Sequence, residues 1–379
     1  MTTSAWATKI FTSLRRANPR IYKTLTDSKH PSTRTYCGSL NTRQIATQCF
    51  DGKSVLVTGG TGSFGKKLVE IALAHGNPKK LIVFSRDEVK QYEMAQQFRD
   101  PRLRFFLGDV RDRDRLHRAF QGVDVVIHAA ALKQVPAAEY NPFEVVKTNV
   151  IGAQNIVDVA IDANVPKVVA LSTDKAANPI NLYGASKLCA DKLFVAANSY
   201  GGGTGTRFAC VRYGNVVGSR GSVMPFFLGR RATGVLPITH PDMTRFWITL
   251  EQGVTFVLSA LGWMHGGEIF VPKIPSMKVV DLARAVAPEC RLEIVGIRPG
   301  EKLHEVMIPG DESRNTFEYD THYIIAPAFH EWSTFDFRSN GGRLVADGFT
   351  YSSDANDHWL TTEELREMAE HPVAAVPGA

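Results

Sequence analysis

From Ser54 onward, short β-branched runs alternate with helical patterns, and this rhythm most constrains the fold. It is the mark of a parallel sheet covered by helices. Strands are expected at Ser54–Thr58, Leu81–Ser85, Leu103–Leu107, Val123–Ala129, Lys167–Ser172 and Phe208–Arg212. Helices are expected at Phe64–Ala74, Glu88–Phe98, Arg113–Phe120, Pro142–Ala163 and Tyr183–Tyr200. The fourth strand is apolar enough to be central.

The first strand runs straight into Thr58-Gly59-Gly60-Thr61-Gly62-Ser63-Phe64-Gly65. Glycines at 59, 62 and 65 permit a tight turn and a close approach of backbone to a pyrophosphate. The helix that follows offers free N–H groups and a positive dipole end to that anion. Placed directly after a first strand, the loop predicts a Rossmann-type doubly wound α/β fold that binds a dinucleotide. The cofactor is read at the end of the second strand, where an acid suits the ribose hydroxyl of NAD and an arginine suits the 2′-phosphate of NADP. Ser85-Arg86-Asp87-Glu88 stands there. Arg86 favours NADP, and Asp87 keeps NAD open. Asp109, just past the third strand, is placed either to hydrogen-bond the adenine or to cap a helix, a task Asp112 could serve equally.

After Gly214 the rhythm breaks into glycine- and proline-containing loops, a helix near Glu251–Leu261 and a motif-dense stretch, Ile297–Pro309. The expected layout is a dinucleotide-binding domain over 51–213 and, over 214–360, mainly a smaller substrate-binding lobe with segments returning to the core. A C-terminal helix and frayed tail cover 361–379.

The 379-residue chain carries a net charge of +6, but residues 1–50 hold eight basic residues against Asp27 alone. The body is therefore near neutral, and the charge is no sign of a nucleic-acid partner. This basic, Ser/Thr-rich segment is read as a disordered extension, although its composition overlaps that of a transit peptide. Five scattered cysteines with no CxxC pair suggest neither a zinc cage nor a disulfide framework, so no metal is expected. No run of about 18 apolar residues predicts a membrane span. A cytoplasmic protein with reduced thiols is the plain expectation.

Tyr183 and Lys187 are four apart on an expected helix and share a face. A phenol near pKa 10 is a poor base at neutral pH. A nearby ammonium and an oxidised nicotinamide would both stabilise its phenolate, which could then take a proton from a sugar hydroxyl.

With GGTGSFG, HAAA (His128–Ala131) and YGASK (Tyr183–Lys187) in order, the chain resembles the extended short-chain dehydrogenase/reductases. The stretches Leu171–Tyr183, Arg212–Gly221, Met243–Thr249 and Arg298–Met307 closely resemble the inverting UDP-N-acetylglucosamine 4,6-dehydratases, over about residues 52–360. Dehydratases of dTDP-glucose carry Asp-Glu where this chain has Asp174-Lys175, and the retaining dehydratases typically have Met where Tyr183 stands.

The resemblance implies an internal redox cycle on tightly bound NADP: hydride leaves carbon 4, water is lost across carbons 5 and 6, and hydride returns to carbon 6. Inversion at carbon 5 would give UDP-2-acetamido-2,6-dideoxy-β-L-arabino-hex-4-ulose for pseudaminic acid or other surface-glycan biosynthesis. It implies Tyr183 and Lys187 at carbon 4, with Thr173 orienting the oxygen there. Lys175 is the base at carbon 5, made neutral by burial, and Asp174 the acid at carbon 6. The cofactor set comprises Gly59, Thr61, Gly62, Ser63, Phe64, Gly65, Ser85, Arg86, Asp87, Lys90, Asp109, Val110, Ala129, Ala130, Lys133, Tyr183 and Lys187. For UDP-N-acetylglucosamine it comprises Lys133, Thr173, Asp174, Asn215, Ser219, Arg220, Arg245 and Arg298, with Phe227 lining the pocket and Glu301 on the ribose. A homo-oligomer, dimer or hexamer, is expected. A UDP-sugar 4-epimerase would share the glycine loop and the Tyr/Lys pair without needing Asp174-Lys175. A non-catalytic NADP sensor on this fold would commonly lack the Tyr/Lys pair.

Overall fold

The computed structural model describes residues 41–201, 205–219, 221–329 and 335–370. The first forty residues of the expected extension, Arg220 and residues 371–379 of the expected tail lie outside them.

The alternation read from the sequence builds a parallel core. Its strands are β1 (Ser54–Thr58), β2 (Lys80–Ser85), β3 (Leu103–Leu107), β4 (Val125–His128), β5 (Lys167–Leu171) and β6 (Arg207–Val211). They lie in the order β3-β2-β1-β4-β5-β6, all parallel. Strand order reverses between β1 and β4, so a crevice opens at their carboxyl ends, where sheets of this kind bind ligands. Every residue of β1 and β4 is buried, as expected of central strands covered on both faces.

The helices begin where local chemistry starts them. α1 (Thr42–Phe50) opens on a capping box between Asn41 and Gln44. α2 (Ser63–His75) follows the glycine loop, and Asp87 and Asp112 cap α3 (Glu88–Gln97) and α4 (Arg113–Ala119). The expected helix over 142–163 is divided. After α5 (Val135–Tyr140) come α6 (Pro142–Val145), a π-helical segment (Val146–Ile151) and α7 (Gly152–Asp162). Asn181 caps α8 (Leu182–Tyr200).

One boundary differs from expectation. The extension was expected to reach residue 50, yet α1 packs on α2 and on a later helix and buries Ile45, Ala46 and Phe50. Burying a phenylalanine side chain is worth about 2 kcal/mol. The folded body therefore starts at least as early as Asn41. The Asn-x-x-Gln spacing of Asn41 and Gln44, just before Ile45, was the signal available.

Past Gly214 the chain builds β7 (Asn215–Val216), α9 (Val223–Arg230), β8 (Val235–Ile238), β9 (Thr244–Ile248) and α10 (Leu250–Trp263). β10 (Ile269–Pro272) then returns to the main sheet beside β6 in parallel. β11 (Ser276–Lys278), α11 (Val279–Val286), β12 (Arg291–Ile294) and β13 (Val306–Ile308) follow. β14 (Thr316–Glu318), β15 (His322–Ile325) and β16 (Arg343–Leu344) extend the main sheet antiparallel, giving ten strands. β17 (Tyr351–Ser352) pairs with β13, and α12 (Thr362–Glu370) packs on α11. A second apolar cluster gathers around Trp247, Met243, Met277, Leu282, Leu236 and Leu365.

Candidate active site

The glycine loop is shaped by close approach. Gly59 has φ of +65°, and a Cβ there would lie 2.9 Å from the backbone of Ala130. A Cβ on Gly65 would lie 2.3 Å from the Gly60 carbonyl oxygen, so helix and loop meet with no room for a side chain. The Thr58 hydroxyl pairs with His128 Nδ1 at 2.8 Å and accepts from the Ala129 and Ala130 N–H groups. That ties the ends of β1 and β4 together. Gly62, the N-cap of α2, has no side chain to accept from the first turn that starts with Ser63 and Phe64. A narrow loop facing an uncapped helix start fits a dinucleotide's pyrophosphate.

Around the end of β2, Ser85 Oγ pairs with Thr61 Oγ1 at 2.8 Å. Asp87 is committed to capping α3: it accepts from Lys90 N–H and from the Lys90 ammonium. The Arg86 side chain is half exposed and lies 3.7 Å from Asp109. Asp112 caps α4, so Asp109 is free of that task. Burial pulls the Asp109 pKa up, but hydrogen bonds and charge from Arg111, with the Arg86 charge, hold it below the usual carboxylate range. Val110 is buried against Gly152 of α7.

The catalytic segment is assembled by contacts across the fold. Asp174–Ala176 form a single 3-10 turn after β5, begun by Thr173. A Cβ on Gly184 would lie 2.2 Å from the Lys175 carbonyl oxygen, so the start of α8 is pressed onto this turn and Tyr183 stands beside it. The Thr173 hydroxyl donates to Asp174 Oδ1 at 2.9 Å. Burial pushes the Tyr183 phenol up to about 12, against the lowering influence of the Lys175 charge and a hydrogen bond with Thr173. The Lys175 charge thus bears on the phenol, a second lysine beside the expected Lys187. Lys187 is buried, which lowers its pKa against the raising influence of Asp191 one helical turn on. Asp191 in turn accepts from Ser172 Oγ at 2.7 Å and lies 3.4 Å from Arg212.

The expected neutral Lys175 is not what the protein's own charges make. Burial does pull its pKa down, but Asp174 at 3.0 Å and Glu305 at 3.1 Å outweigh it, and the ammonium is favoured. Asp174 Oδ2 is buried without a hydrogen-bond partner among the described residues. Glu305, Lys302, Asp191 and Tyr213, whose carbonyl accepts from Asp174 N–H, were missed by sequence reasoning. Glu305 and Lys302 sit inside the Arg298–Met307 motif. Asp191 is a helical turn from Lys187, and Tyr213 lies in the Arg212–Gly221 motif.

The motif stretches converge on the same turn. Lys302 Nζ donates to the Ala177 carbonyl at 2.6 Å, and Asn181 Nδ2 to the Gly300 carbonyl at 2.8 Å. Arg298 and Glu301 flank this loop and lie 3.9 Å apart, with Arg298 largely exposed. Asn149 of the π segment donates to the Leu132 carbonyl and to Ser186, which fixes the chain just before Lys133. The Lys133 side chain is exposed, yet partial desolvation and then the Lys175 charge draw its pKa down. Asn215 Oδ1 is buried without a partner among the described residues, as a group waiting for a ligand donor would be. The loop carrying Ser219 and Gly221 meets Gln134, next to Lys133.

Two expected substrate contacts are corrected. Phe227 is 1% exposed and packed inside that second apolar cluster, where α9 turns it toward Leu236 and Leu282. Arg245 is buried and spends its donors on the Thr244, Lys302 and Leu303 carbonyls and Met243 Sδ, with Nε 3.9 Å from Glu305. It acts as a strut behind Glu305 rather than a free cation for a diphosphate.

Sheet order, the glycine cradle and the meeting of Thr173, Asp174, Lys175 and Tyr183 at one turn mark an NAD(P)-binding enzyme of the extended short-chain dehydrogenase/reductase class. Residues 55–327 match the family described as polysaccharide biosynthesis protein, and the chain belongs to that family. A relative from Campylobacter jejuni subsp. jejuni, named UDP-N-acetylglucosamine 4,6-dehydratase (inverting), is 55% identical over 85% of this chain and 98% of its own. A UDP-glucose 4-epimerase from Rickettsia conorii is 39% identical, covering 84% of this chain and 96% of its own. Among solved structures, Pen from Bacillus thuringiensis is 37% identical with a TM-score of 0.78, covering 84% of this chain and 97% of that one. A dTDP-glucose 4,6-dehydratase from Streptomyces venezuelae, with NAD and TYD bound, is 26% identical with a TM-score of 0.60, over 66% and 86% of the two chains. Among the described residues no helix is long and apolar enough to cross a membrane.

Proposed function

We propose that this protein is a UDP-N-acetylglucosamine 4,6-dehydratase that inverts carbon 5 and uses NADP. The observation that carries the reading is the meeting of Asp174, Lys175 and Tyr183 at one turn, where an acid, an amine and a phenol can serve three adjacent carbons. The bound nicotinamide supplies the hydride acceptor and donor. Tyr183, hydrogen-bonded to Thr173, takes the carbon 4 hydroxyl proton as the phenolate, once its own proton has been lost. The ketone acidifies carbon 5, whose proton passes to the Lys175 amine once that amine is neutral. Asp174 protonates the carbon 6 hydroxyl as water leaves. Moving the Lys175 proton onto Asp174 at 3.0 Å creates the neutral amine and the carboxylic acid together.

NADP is favoured over NAD because Asp87 is occupied as a helix cap while Arg86 extends into solvent. Lys133, Asn215, Ser219 and Arg298 are the described residues assigned to the nucleotide sugar, with Glu301 at the ribose. A homo-oligomer stays part of the reading, supported by the exposed rings of Tyr140 and Phe143. The test is incubation with UDP-N-acetylglucosamine in deuterated water and NMR of the product. A 4-keto-6-deoxy sugar with deuterium at an inverted carbon 5 is expected. An epimerised sugar that keeps its water would assign the chain to the 4-epimerases instead.

A further inference from the structure

The Lys175 amine has a second carboxylate beside it that no step above uses. Glu305 is 2% exposed, and its Oε1 lies 3.1 Å from Lys175 Nζ, nearly the same distance as Asp174 Oδ1. Its backbone is pinned: Glu305 N–H donates to Ser353 Oγ, and Ser353 N–H donates back to the Glu305 carbonyl. Ser353 Oγ also pairs with Thr244 Oγ1 at 2.7 Å, which anchors the unit to β9. Behind the carboxylate stand Arg245 at 3.9 Å and Lys302 at 4.0 Å, and Oε2 has no hydrogen-bond partner among the described residues. An anion buried this deeply needs such cations to persist.

We infer that Glu305 is the positioning residue for the Lys175 base, gripping the amine opposite Asp174 and setting both its aim and its charge. The inference rests on the reaction proposed above. A neutral amine has two N–H donors and one lone pair. With the acid proton of Asp174 on the otherwise unpartnered Oδ2, Oδ1 accepts one N–H and Glu305 the other, the lone pair takes the remaining direction, and rotation about the last bond of the side chain is stopped. The same two carboxylates favour the ammonium formed when the amine accepts the carbon 5 proton, so each strengthens the base. Burial pulls the Lys175 pKa down, and Asp174 and Glu305 together more than reverse this. Asp174, Lys133, Tyr183, Arg245 and Lys302 bear on the same pair and are unchanged in the variants below.

The test uses the full chain loaded with NADP and the 4-keto-6-deoxy nucleotide sugar made by the wild type. Deuterium uptake at carbon 5 is followed against pH, above the protein-free rate. This step needs the base but no loss of water. Wild-type uptake should rise with pH as the amine loses its proton. Glu305→Gln keeps shape and removes charge. Its rise should move to lower pH by about one unit or more, with a reduced plateau because the amine is aimed less well. Glu305→Asp, which keeps the charge but shortens the reach, should move the rise the same way and less far. It decides the matter alone if the Gln form does not fold. A reduced plateau with the rise unmoved in the folded variants would make Glu305 merely structural and overturn the inference. Wild-type protein that takes up no deuterium at any pH would instead bring down the proposed reaction.

Discussion

Gly184 and Lys175 touch through their backbones: a methyl group on residue 184 would sit 2.2 Å from the Lys175 carbonyl oxygen. The contact sets the depth at which Tyr183 stands against Asp174 and Lys175, because Tyr183 is the preceding residue of the same helical turn. Neither backbone can retreat cheaply, one being held by the Asn181 cap and the other by the 3-10 turn.

Gly184→Ala should therefore lower stability by about 1–3 kcal/mol through overpacking. It should also cut turnover on the order of a hundredfold by displacing Tyr183. Thermal unfolding and product NMR measure the two effects. A variant as stable and active as the wild type would show that the turn yields freely.

Tyr183→Phe removes one hydroxyl and should reduce turnover by about a hundredfold or more, while the fold persists. Lys175→Met should behave differently. Loss of the Lys175 charge makes the Tyr183 phenolate harder to form and slows oxidation at carbon 4, but Tyr183 and Lys187 remain, so reduced cofactor still builds up, visible in the near ultraviolet, with no dehydrated sugar released. A Lys175→Met protein that still exchanges the carbon 5 proton would move the base elsewhere, with Asp174 the first suspect.

Arg86 and Asp87 should divide the cofactor question. Arg86→Ala removes the half-exposed guanidinium at the end of β2 and should weaken NADP more than NAD. Titration of cofactor fluorescence quenching would read it. Equal weakening of both would mean that Arg86 does not meet a 2′-phosphate.

The N-terminal boundary has a direct stability consequence. A chain that starts at residue 51 loses α1, with Phe50 wholly buried and Cys49 Sγ donating to the Leu258 carbonyl. It should unfold at a lower temperature than a chain starting at residue 38, by about 2 kcal/mol or more for Phe50 alone. Identical melting of the two truncations would show that α1 adds nothing to the body.

Acid should destabilise the protein through His128. Burial, with the Lys187 charge beside it, pushes His128 down to about 3 in the folded state from an ordinary value of 6.5. Between those values the unfolded chain binds the proton and the folded chain does not. Stability is therefore full above about pH 6.5 and falls toward pH 3, by about 1.4 kcal/mol per pH unit for this group. His322, pushed down to about 4, adds to the fall over much of the same window. His128→Asn should flatten the dependence by about one proton; an unchanged slope would assign the loss to other groups.

The parallel core was legible because its signals are local. Strands β1 to β6 and the helices between them follow from β-branched runs, caps and the glycine loop, which depend on neighbours a few residues apart. The capping box at Asn41 and Gln44 is a local signal too, but it lies in a stretch whose basic charge points to disorder. The π segment was not legible, since its extra residue per turn serves contacts of Asn149 with Leu132 and Ser186.

Residue types and their spacing state which chemistry is present: a dinucleotide loop, a Tyr/Lys helix, and an Asp-Lys pair after the fifth strand. How that chemistry is charged and aimed is set by folding. Glu305 lies 130 residues from Lys175 along the chain yet 3.1 Å from it in space, and Arg245 reaches the same carboxylate from another segment. Phe227 and Arg245 read as ligand contacts in sequence, but packing placed one in an apolar core and spent the donors of the other on backbone carbonyls. A residue type states what a side chain can do. Its ionisation and direction depend on Coulomb and desolvation effects over a few ångströms, and the distances that govern them exist only once the chain has folded.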